Sequence, residues 1–198
     1  MTSSTPNLAA LIGSRICHDL ISPIGAINNG LELLSMAGST DGPEMELIGQ
    51  SVNNASARIR FFRIAFGAAG DQLVGKQEVT SVLRDLYGDT RLDVQWLPEE
   101  AQPRSVVRLA FLALLCVEAA MPYGGMIEIA EDAGTWHLTG RADKLKRVAE
   151  HWDVLTGPSQ GDGLQAAQVQ FALLPVIAAE TGRTLSDRAS ETEVRISF

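Results

Sequence analysis

Apolar residues recur three or four positions apart along the first third of the chain. The first series consists of Ile16, Leu20, Ile24, Ile27, Leu31 and Leu34. This spacing places all of them on one face of a helix. After a break at Gly38, Gly42 and Pro43, a second series keeps the same spacing and consists of Met45, Ile48, Val52, Ala55, Ile59, Phe62, Phe66 and Ala69. An apolar seam of this length is typical of a helical bundle rather than of a surface helix.

A hairpin of two such helices does not enclose a core by itself. Both apolar faces become buried most simply when two copies of the chain pair and form a four-helix bundle. We therefore predict that residues 1–72 form a helical hairpin for dimerisation and that the protein is a homodimer.

The remaining residues, 73–198, alternate between strand-like and helix-like patterns. The segments RLDVQWL and ETEVRISF alternate as half-buried strands do, and MIEIAED and TWHLTG indicate a hairpin that turns at Asp132-Ala-Gly134. Residues 103–121 are apolar nearly all round, which indicates a buried helix, and a second long helix is predicted over residues 163–182. Two or three helices on one face of a largely antiparallel sheet form an α/β sandwich, so the predicted fold class is α+β.

The composition limits the classes of partner and the cellular setting. The chain has 198 residues, of which 45% are hydrophobic, and carries a formal net charge of −8. So acidic a chain is a poor match for nucleic acid, whose phosphates require a basic protein face. The N-terminus lacks the pattern of a secretory signal, and no apolar run is long enough to span a membrane. Cys17 and Cys116 are far apart and each lies in an apolar helical context, so we expect reduced, buried thiols and a cytoplasmic protein.

His18 lies within the first predicted helix and next to a carboxylate. At 100° per residue it points about 160° away from Leu20, and therefore away from the apolar face. The residues around it on the outer face are small or apolar and consist of Ser14, Cys17, Ile21, Ser22 and Gly25. Such a patch allows another protein to approach the imidazole closely. Pro23 follows within the helix, and a broken local rule of this kind often marks a functional site.

The pair of His18 and Asp19 suits nucleophilic chemistry. A neutral imidazole is a good nucleophile near neutral pH when one ring nitrogen is free and the other keeps its proton. Asp19 is placed to hold that proton and to stabilise the imidazolium that develops. The small neighbours leave room for in-line attack on a phosphoryl group. His18 is therefore the candidate phosphate acceptor, and Asp19 is its orienting partner.

The segment CHDLISPIGAINNGLELL, residues 17–34, resembles the H-box of dimerisation and histidine-phosphotransfer domains. It has the His-Asp pair, an apolar residue and a proline five places after the histidine, and it is especially similar to the ChpT-like histidine phosphotransferases of alphaproteobacteria. The resemblance covers residues 8–69 and implies a dimeric bundle that passes phosphate between receiver-domain aspartates. It implies response-regulator receiver domains as partners, including that of a hybrid histidine kinase, with Mg²⁺ bound only by the receiver.

The second part of the chain resembles the catalytic ATP-binding domain of histidine kinases in the order of its elements. That family binds magnesium through a helix-borne Asn and reads adenine with an Asp-x-Gly-x-Gly loop. Here Glu118 stands at the Asn position, Leu114 stands where a polar residue is frequent, and no Asp-x-Gly-x-Gly follows. Only residues 161–169, GDGLQAAQV, resemble the second glycine loop, and a lone Gly-x-Gly is weak support. The resemblance implies a degenerate domain, for which we expect no tight ATP binding, no cofactor and no metal.

Several positions keep more than one interpretation. Arg141 and Lys144 belong to the basic cluster GRADKLKR, which is either the solvated start of a helix or a contact for the acidic rim of a receiver domain. His137 and His151 are expected to be structural. Two alternatives to phosphotransfer remain open, namely an ATP-dependent histidine kinase and a dimeric adaptor in which His18 never carries phosphate.

Overall fold

The computed structural model describes residues 7–37, 43–68, 70, 72–157 and 163–198. The chain begins with two long helices, α1 (Leu8–Ala37) and α2 (Pro43–Ala65), which pack against each other as an antiparallel hairpin. The predicted helix pair is therefore confirmed, and the predicted break at Gly38 and Gly42 lies outside the described residues.

Small residues form the contact between the two helices of the hairpin. Pro23 and Gly30 of α1 are buried, as are Ser51 and Ala57 of α2. Pro23 lacks a backbone N–H, but α1 continues as one helix through this position. Some large side chains of the predicted seams are exposed in the single chain, namely Ile24, Leu31, Met45, Val52 and Ile59, whereas Phe62 is buried in the core.

The second part of the chain adds four helices and seven strands within the described residues. Its helices are α3 (Lys76–Tyr87), α4 (Arg104–Ala119), α5 (Ala149–Thr156) and α6 (Val169–Glu180). Its strands are β1 (Leu73–Val74), β2 (Leu92–Trp96), β3 (Gln102–Pro103), β4 (Gly125–Asp132), β5 (Thr135–Arg141), β6 (Ser186–Ala189) and β7 (Glu193–Ser197). The main sheet has the order β2-β4-β5-β7-β6, and its pairs are antiparallel except for β2 with β4. The predicted α+β fold class is confirmed.

The β4–β5 hairpin turns where the sequence predicts it. Asp132 pairs with Thr135, so only Ala133 and Gly134 form the turn. Both have positive φ, 48° and 86°, as a two-residue turn requires if its twist is to match that of the strands. Gly134 takes this conformation without a steric cost.

The hydrophobic core lies between one face of the sheet and the helices. Helix α4 is buried on almost every side, and the α2 residue Phe61 stacks on its Phe111 at 4.6 Å between ring centroids. The C-terminal end of α2 is thus packed into the core of the second part of the chain. The division into 1–72 and 73–198 stays a prediction, since α2 contributes to both sides of it.

Some short elements differ from the sequence prediction. Two or three helices were expected in the second part, but α3 and α5 raise the number in the described residues to four. Helix α6 begins at Val169 rather than at residue 163, because Gly163 has φ 85° and Gln165 is extended, and a 3₁₀ turn over Ala166–Gln168 precedes α6. The cluster at 140–147 is not the start of a helix. It begins in β5, and α5 starts only at Ala149.

Candidate functional site

His18 stands on the outer side of α1, and 78% of its side-chain surface is exposed. It borders an open groove of about 610 Å³ between α1, α2 and the end of α3. The groove is lined by His18, Asp19, Ser22, Pro23, Ala26, Leu47, Gln50, Ser51, Asn53, Asn54, Arg58, Asp85 and Asp89. An approaching protein therefore meets an accessible imidazole with polar amide and carboxylate groups beside it.

One carboxylate oxygen of Asp19 contacts the imidazole of His18, and the other oxygen contacts two arginines. His18 Nδ1 lies 3.0 Å from Asp19 Oδ1. Arg15 Nε donates to Asp19 Oδ2 at 2.7 Å, and Arg58 Nη1 lies 3.8 Å from the same oxygen. Only 9% of the Asp19 side-chain surface is exposed, so this carboxylate is fixed by its partners rather than by water.

The contact with Asp19 determines which ring nitrogen is free. An ionised carboxylate only accepts hydrogen bonds, so we assign the proton of neutral His18 to Nδ1, which donates it to Asp19. Nε2 then carries the lone pair at the exposed side of the ring. This is the tautomer that a nucleophilic imidazole with a carboxylate partner adopts.

A second polar pair, Tyr87 of α3 and Glu118 of α4, lies close to the pair of His18 and Asp19. The buried hydroxyl of Tyr87 donates to Glu118 Oε2 at 2.9 Å. Burial raises the pKa of Glu118, and the charge of Asp19 acts in the same direction, whereas the Tyr87 hydrogen bond, Arg15 and Arg58 oppose it. Burial and the charge of Glu118 also hold the pKa of Tyr87 well above its ordinary value of 10.0. The Glu118 carboxyl is thus held by a tyrosine of its own chain.

Glu118→Gln should remove a pH-dependent cost of folding. Because folding raises the Glu118 pKa, the native protein holds this proton more tightly than the unfolded chain, and this group lowers the stability as pH rises above 4.5. Each displaced pKa unit corresponds to about 1.4 kcal/mol. Glutamine does not ionise, and it keeps an acceptor for Tyr87. The difference in unfolding free energy between the variant and the wild type should therefore shift in favour of the variant when the pH rises from about 4 to about 8. Urea unfolding at both pH values measures the difference.

The matched control for this prediction is Glu150→Gln, at an exposed carboxyl in the first turn of α5. Its effect on the unfolding free energy should change much less between the two pH values. A Glu118→Gln effect that is the same at both would contradict the expected displacement of the Glu118 pKa.

The structure places the predicted partner patch on one exposed strip of α1. Ser14, Cys17, Ile21 and Ser22 are exposed, and a side chain added at Gly25 would meet no atom within 4 Å. The expected burial of the cysteines is therefore wrong for Cys17, which lies on the outer side of α1, and correct for Cys116. Ser22 also lines the groove beside His18. The strip is therefore open to a partner along its length.

The predicted basic contact lies elsewhere on the surface. Arg141 pairs with Glu193 at 3.0 Å, and the Lys144 ammonium lies 5.5 Å from the centre of the Tyr123 ring. Neither basic residue lines the groove at His18. The sequence predicts a partner contact for these two residues as well as for the patch on α1, but the structure does not bring them to the same cavity.

The other two histidines have contacts inside the second part of the chain. His137 Nδ1 lies 2.8 Å from the Ser197 hydroxyl, between β5 and β7. His151 packs against Phe171, with 5.4 Å between the ring centroids. These contacts account for both residues without a role at the groove.

Four charged residues of the site, Arg15, Arg58, Asp85 and Asp89, are not identified by the sequence analysis. The four-residue spacing of Arg15 and Asp19 on one helix was a signal that could have identified Arg15. Arg58, Asp85 and Asp89 reach the groove from other elements and could not be identified from local spacing. Within the described ranges, no group of three or more His, Cys, Asp or Glu side chains is placed to hold a metal ion.

Known proteins resemble this chain at the levels of family, sequence and structure. The model of the family "histidine phosphotransferase C-terminal domain" matches residues 76–193. The protein phosphotransferase ChpT of Brucella abortus (strain 2308) is 34% identical over 206 residues, covering 100% of this chain and 97% of that protein. The 1.7 Å structure of a bacterial phosphotransferase has a TM-score of 0.81 at 34% identity, covering 100% of this chain and 98% of that one.

No helix in the part of the chain that the structure describes is long and apolar enough to cross a membrane.

Proposed function

This chain belongs to the ChpT-like histidine phosphotransferases, and from that premise we propose that it relays phosphate through His18 between response-regulator receiver domains. The observation that carries the proposal is the exposed imidazole whose Nδ1 is held by Asp19 at 3.0 Å. Nε2 is then the atom that takes the phosphoryl group.

Both transfers, from the donor receiver to His18 and from His18 to the acceptor receiver, are displacements at phosphorus. Nε2 of His18 attacks the phosphorus of an aspartyl phosphate on the donor receiver, the bond to the aspartate oxygen breaks, and the carboxylate leaves with the electron pair. The Nδ1 proton stays on the ring and is donated in a hydrogen bond to Asp19, whose negative charge stabilises the positive charge that develops on the ring. The acceptor receiver then displaces the phosphoryl group from Nε2 with its own aspartate. The receiver supplies Mg²⁺, and this chain needs no cofactor of its own.

Two features support docking of a receiver over the strip on α1. The side chains beside His18 are small, with Ser22 at the groove and open space above Gly25. Transfer needs close approach of two proteins, and small side chains permit it. Arg141 and Lys144 are proposed as a second contact that steers the encounter by charge, outside the groove. The partners include the receiver of a hybrid histidine kinase, and the setting is the cytoplasm.

The homodimer is part of the same proposal. Ile24 and Leu31 of α1 are 49% and 53% exposed, and Val52 and Ile59 of α2 are 44% and 54% exposed. These residues belong to the two predicted seams and form an apolar face that the single chain does not cover. Pairing of two hairpins would bury this face in a four-helix bundle.

Phosphorylation assays with the full chain test the proposed relay. The chain is incubated with a receiver domain carrying labelled aspartyl phosphate, and separately with labelled ATP alone. We expect label from the receiver, in an acid-labile and alkali-stable form, and none from ATP. Label from ATP would favour the kinase alternative, and no label from any receiver domain of the same genome would favour the adaptor.

Ser22→Trp should block transfer without unfolding the protein. Ser22 is exposed and lines the groove beside His18, so an indole would occupy the space that the receiver needs. We expect the rate of phosphate transfer to fall at least about tenfold, since misplacement by about 1 Å is enough to slow a positioned reaction strongly. Gln95→Trp, on the exposed side of β2, is the control and should transfer normally. Normal transfer by Ser22→Trp would show that the partner approaches from another direction.

A further inference from the structure

Arg15 connects the two parts of the chain through a single guanidinium group. Its Nε donates to Asp19 Oδ2 at 2.7 Å, one turn along α1. Its Nη1 donates to the backbone carbonyl of Ala167 at 2.5 Å, in the 3₁₀ turn that precedes α6. Ala167 is 152 positions away in sequence, so this contact exists only when the second part of the chain is packed against α1.

We propose that Arg15 is a positioning residue for His18: it fixes the Asp19 carboxylate so that Oδ1 accepts the hydrogen bond from Nδ1, and its own position is fixed by the Ala167 carbonyl. This inference rests on the proposed role of His18 as the phosphate carrier. It assigns a function to the packing of the ATPase-like part on the hairpin, namely to hold the nucleophile in one tautomer.

The two carboxylate oxygens of Asp19 have different partners. Oδ2 faces both arginines, and Oδ1 faces the imidazole. The terminal torsion of an aspartate is broad, so a carboxylate without a strong partner samples many orientations. Without Arg15, the remaining cation is Arg58 at 3.8 Å, whose Nε donates to Asn54 at 2.9 Å. The carboxylate would then be free to turn away from Nδ1.

Arginine suits this task because its N–H groups point in different fixed directions. One planar group can donate to a carboxylate and to a carbonyl at the same time, whereas lysine offers a single point charge. Only 18% of the Arg15 side-chain surface is exposed, which reduces screening of its pair with Asp19. Lysine at position 15 should therefore keep the charge but lose the simultaneous bond to Ala167.

The other charged groups around Asp19 do not replace Arg15. Asp85 and Asp89 line the groove and carry the same sign as Asp19, and Asp85 is itself paired with Arg60 at 2.5 Å. Glu118 lies close enough for its pKa to respond to Arg15, Arg58 and Asp19, although burial is the largest influence on it. The arginines thus supply the positive charge in a cluster with an excess of carboxyl groups.

The test combines ring spectroscopy with transfer rates on the full-length chain. Samples with ¹⁵N-labelled histidine report the tautomer of each ring, and His137 and His151 serve as internal references. In the wild type, His18 should show a protonated Nδ1 and a free Nε2. In Arg15→Ala it should shift towards a mixture of tautomers, and phosphate transfer from a receiver should slow about tenfold or more. Arg15→Lys should restore part of both.

Arg104→Ala is the matched control, because Arg104 Nη2 also donates to a backbone carbonyl, that of Arg63 at 2.7 Å, but does not contact Asp19. It should leave the His18 signals and the transfer rate unchanged. A double-mutant cycle gives the second readout: in an Asp19→Asn background, Arg15→Ala should slow transfer no further, since its effect passes through Asp19.

The proposal is overturned if Arg15→Ala, or Arg15→Lys should the alanine variant not fold, leaves the His18 signals and the transfer rate at wild-type values. Additive losses in the double mutant would equally overturn it. Because the ring signals are recorded without phosphate, this failure is distinct from failure of the relay role, which would appear as transfer to a chain lacking His18.

Discussion

Replacement of His18 with glutamine should abolish phosphate acceptance while the fold stays intact. The residue is 78% exposed in its side chain and packs into no core, so its loss should change the unfolding free energy little. Glutamine keeps an amide that can contact Asp19 but has no nucleophilic ring nitrogen. We expect no detectable label from a phosphorylated receiver, with an unchanged circular dichroism spectrum and melting temperature.

The controls for this variant are the two other histidines. His137→Gln and His151→Gln should accept phosphate at the wild-type rate, because neither side chain borders the groove. Acid-labile phosphate on the His18→Gln chain would show that another group is the carrier. Loss of acceptance in His137→Gln, with its fold retained, would contradict the assignment in the same way.

Ile59→Asp should convert the proposed dimer into monomers. Ile59 is 54% exposed in the single chain, so the aspartate would be solvated in a folded monomer but buried without a partner in the dimer. In a two-fold dimer the change occurs twice at the interface. The cost should reach several kcal/mol, which raises the dissociation constant by at least about a hundredfold. Sedimentation at several protein concentrations measures the shift.

Asn53→Asp serves as the matched control for the interface. It adds the same charge to an exposed position of α2 that borders the His18 groove instead of the apolar face. It should leave the dimer intact. A stable dimer of Ile59→Asp would show that the subunits associate through another surface, and Ile27→Asp, at the seam of α1, provides an independent test of the same face.

The relay and the dimer are linked through the shape of α1. One side of the helix carries the exposed seam residues Ile24 and Leu31, a second side buries Pro23 and Gly30 against α2, and a third presents His18. A partner that covers His18 therefore need not disturb the proposed dimer interface. This separation predicts that His18→Gln remains dimeric and that Ile59→Asp monomers retain an accessible His18.

The sequence alone determined the features that depend on local periodicity. The spacing of apolar residues identified α1 and α2, because a helix repeats its surface every three to four residues. The same periodicity placed His18 on the exposed side of α1, as the structure shows. The β4–β5 turn followed from Ala133 and Gly134, and the buried helix α4 followed from its continuous apolar run.

Tertiary structure decided what surrounds the nucleophile. Arg58, Tyr87 and Glu118 come from three different helices, and no local rule brings them together near Asp19. Helix α5 and the late start of α6 are not predicted, because few residues carry their patterns and packing stabilises them. Helix α3 has 12 residues and buries Val79, Val82, Leu83 and Tyr87 at helical spacing, so its signal is present in the sequence. The hydrogen bond from Arg15 to Ala167 spans 152 positions and forms only after the chain has folded. Periodicity reports which side of an element is buried, but the partner across a contact depends on the path of the whole chain.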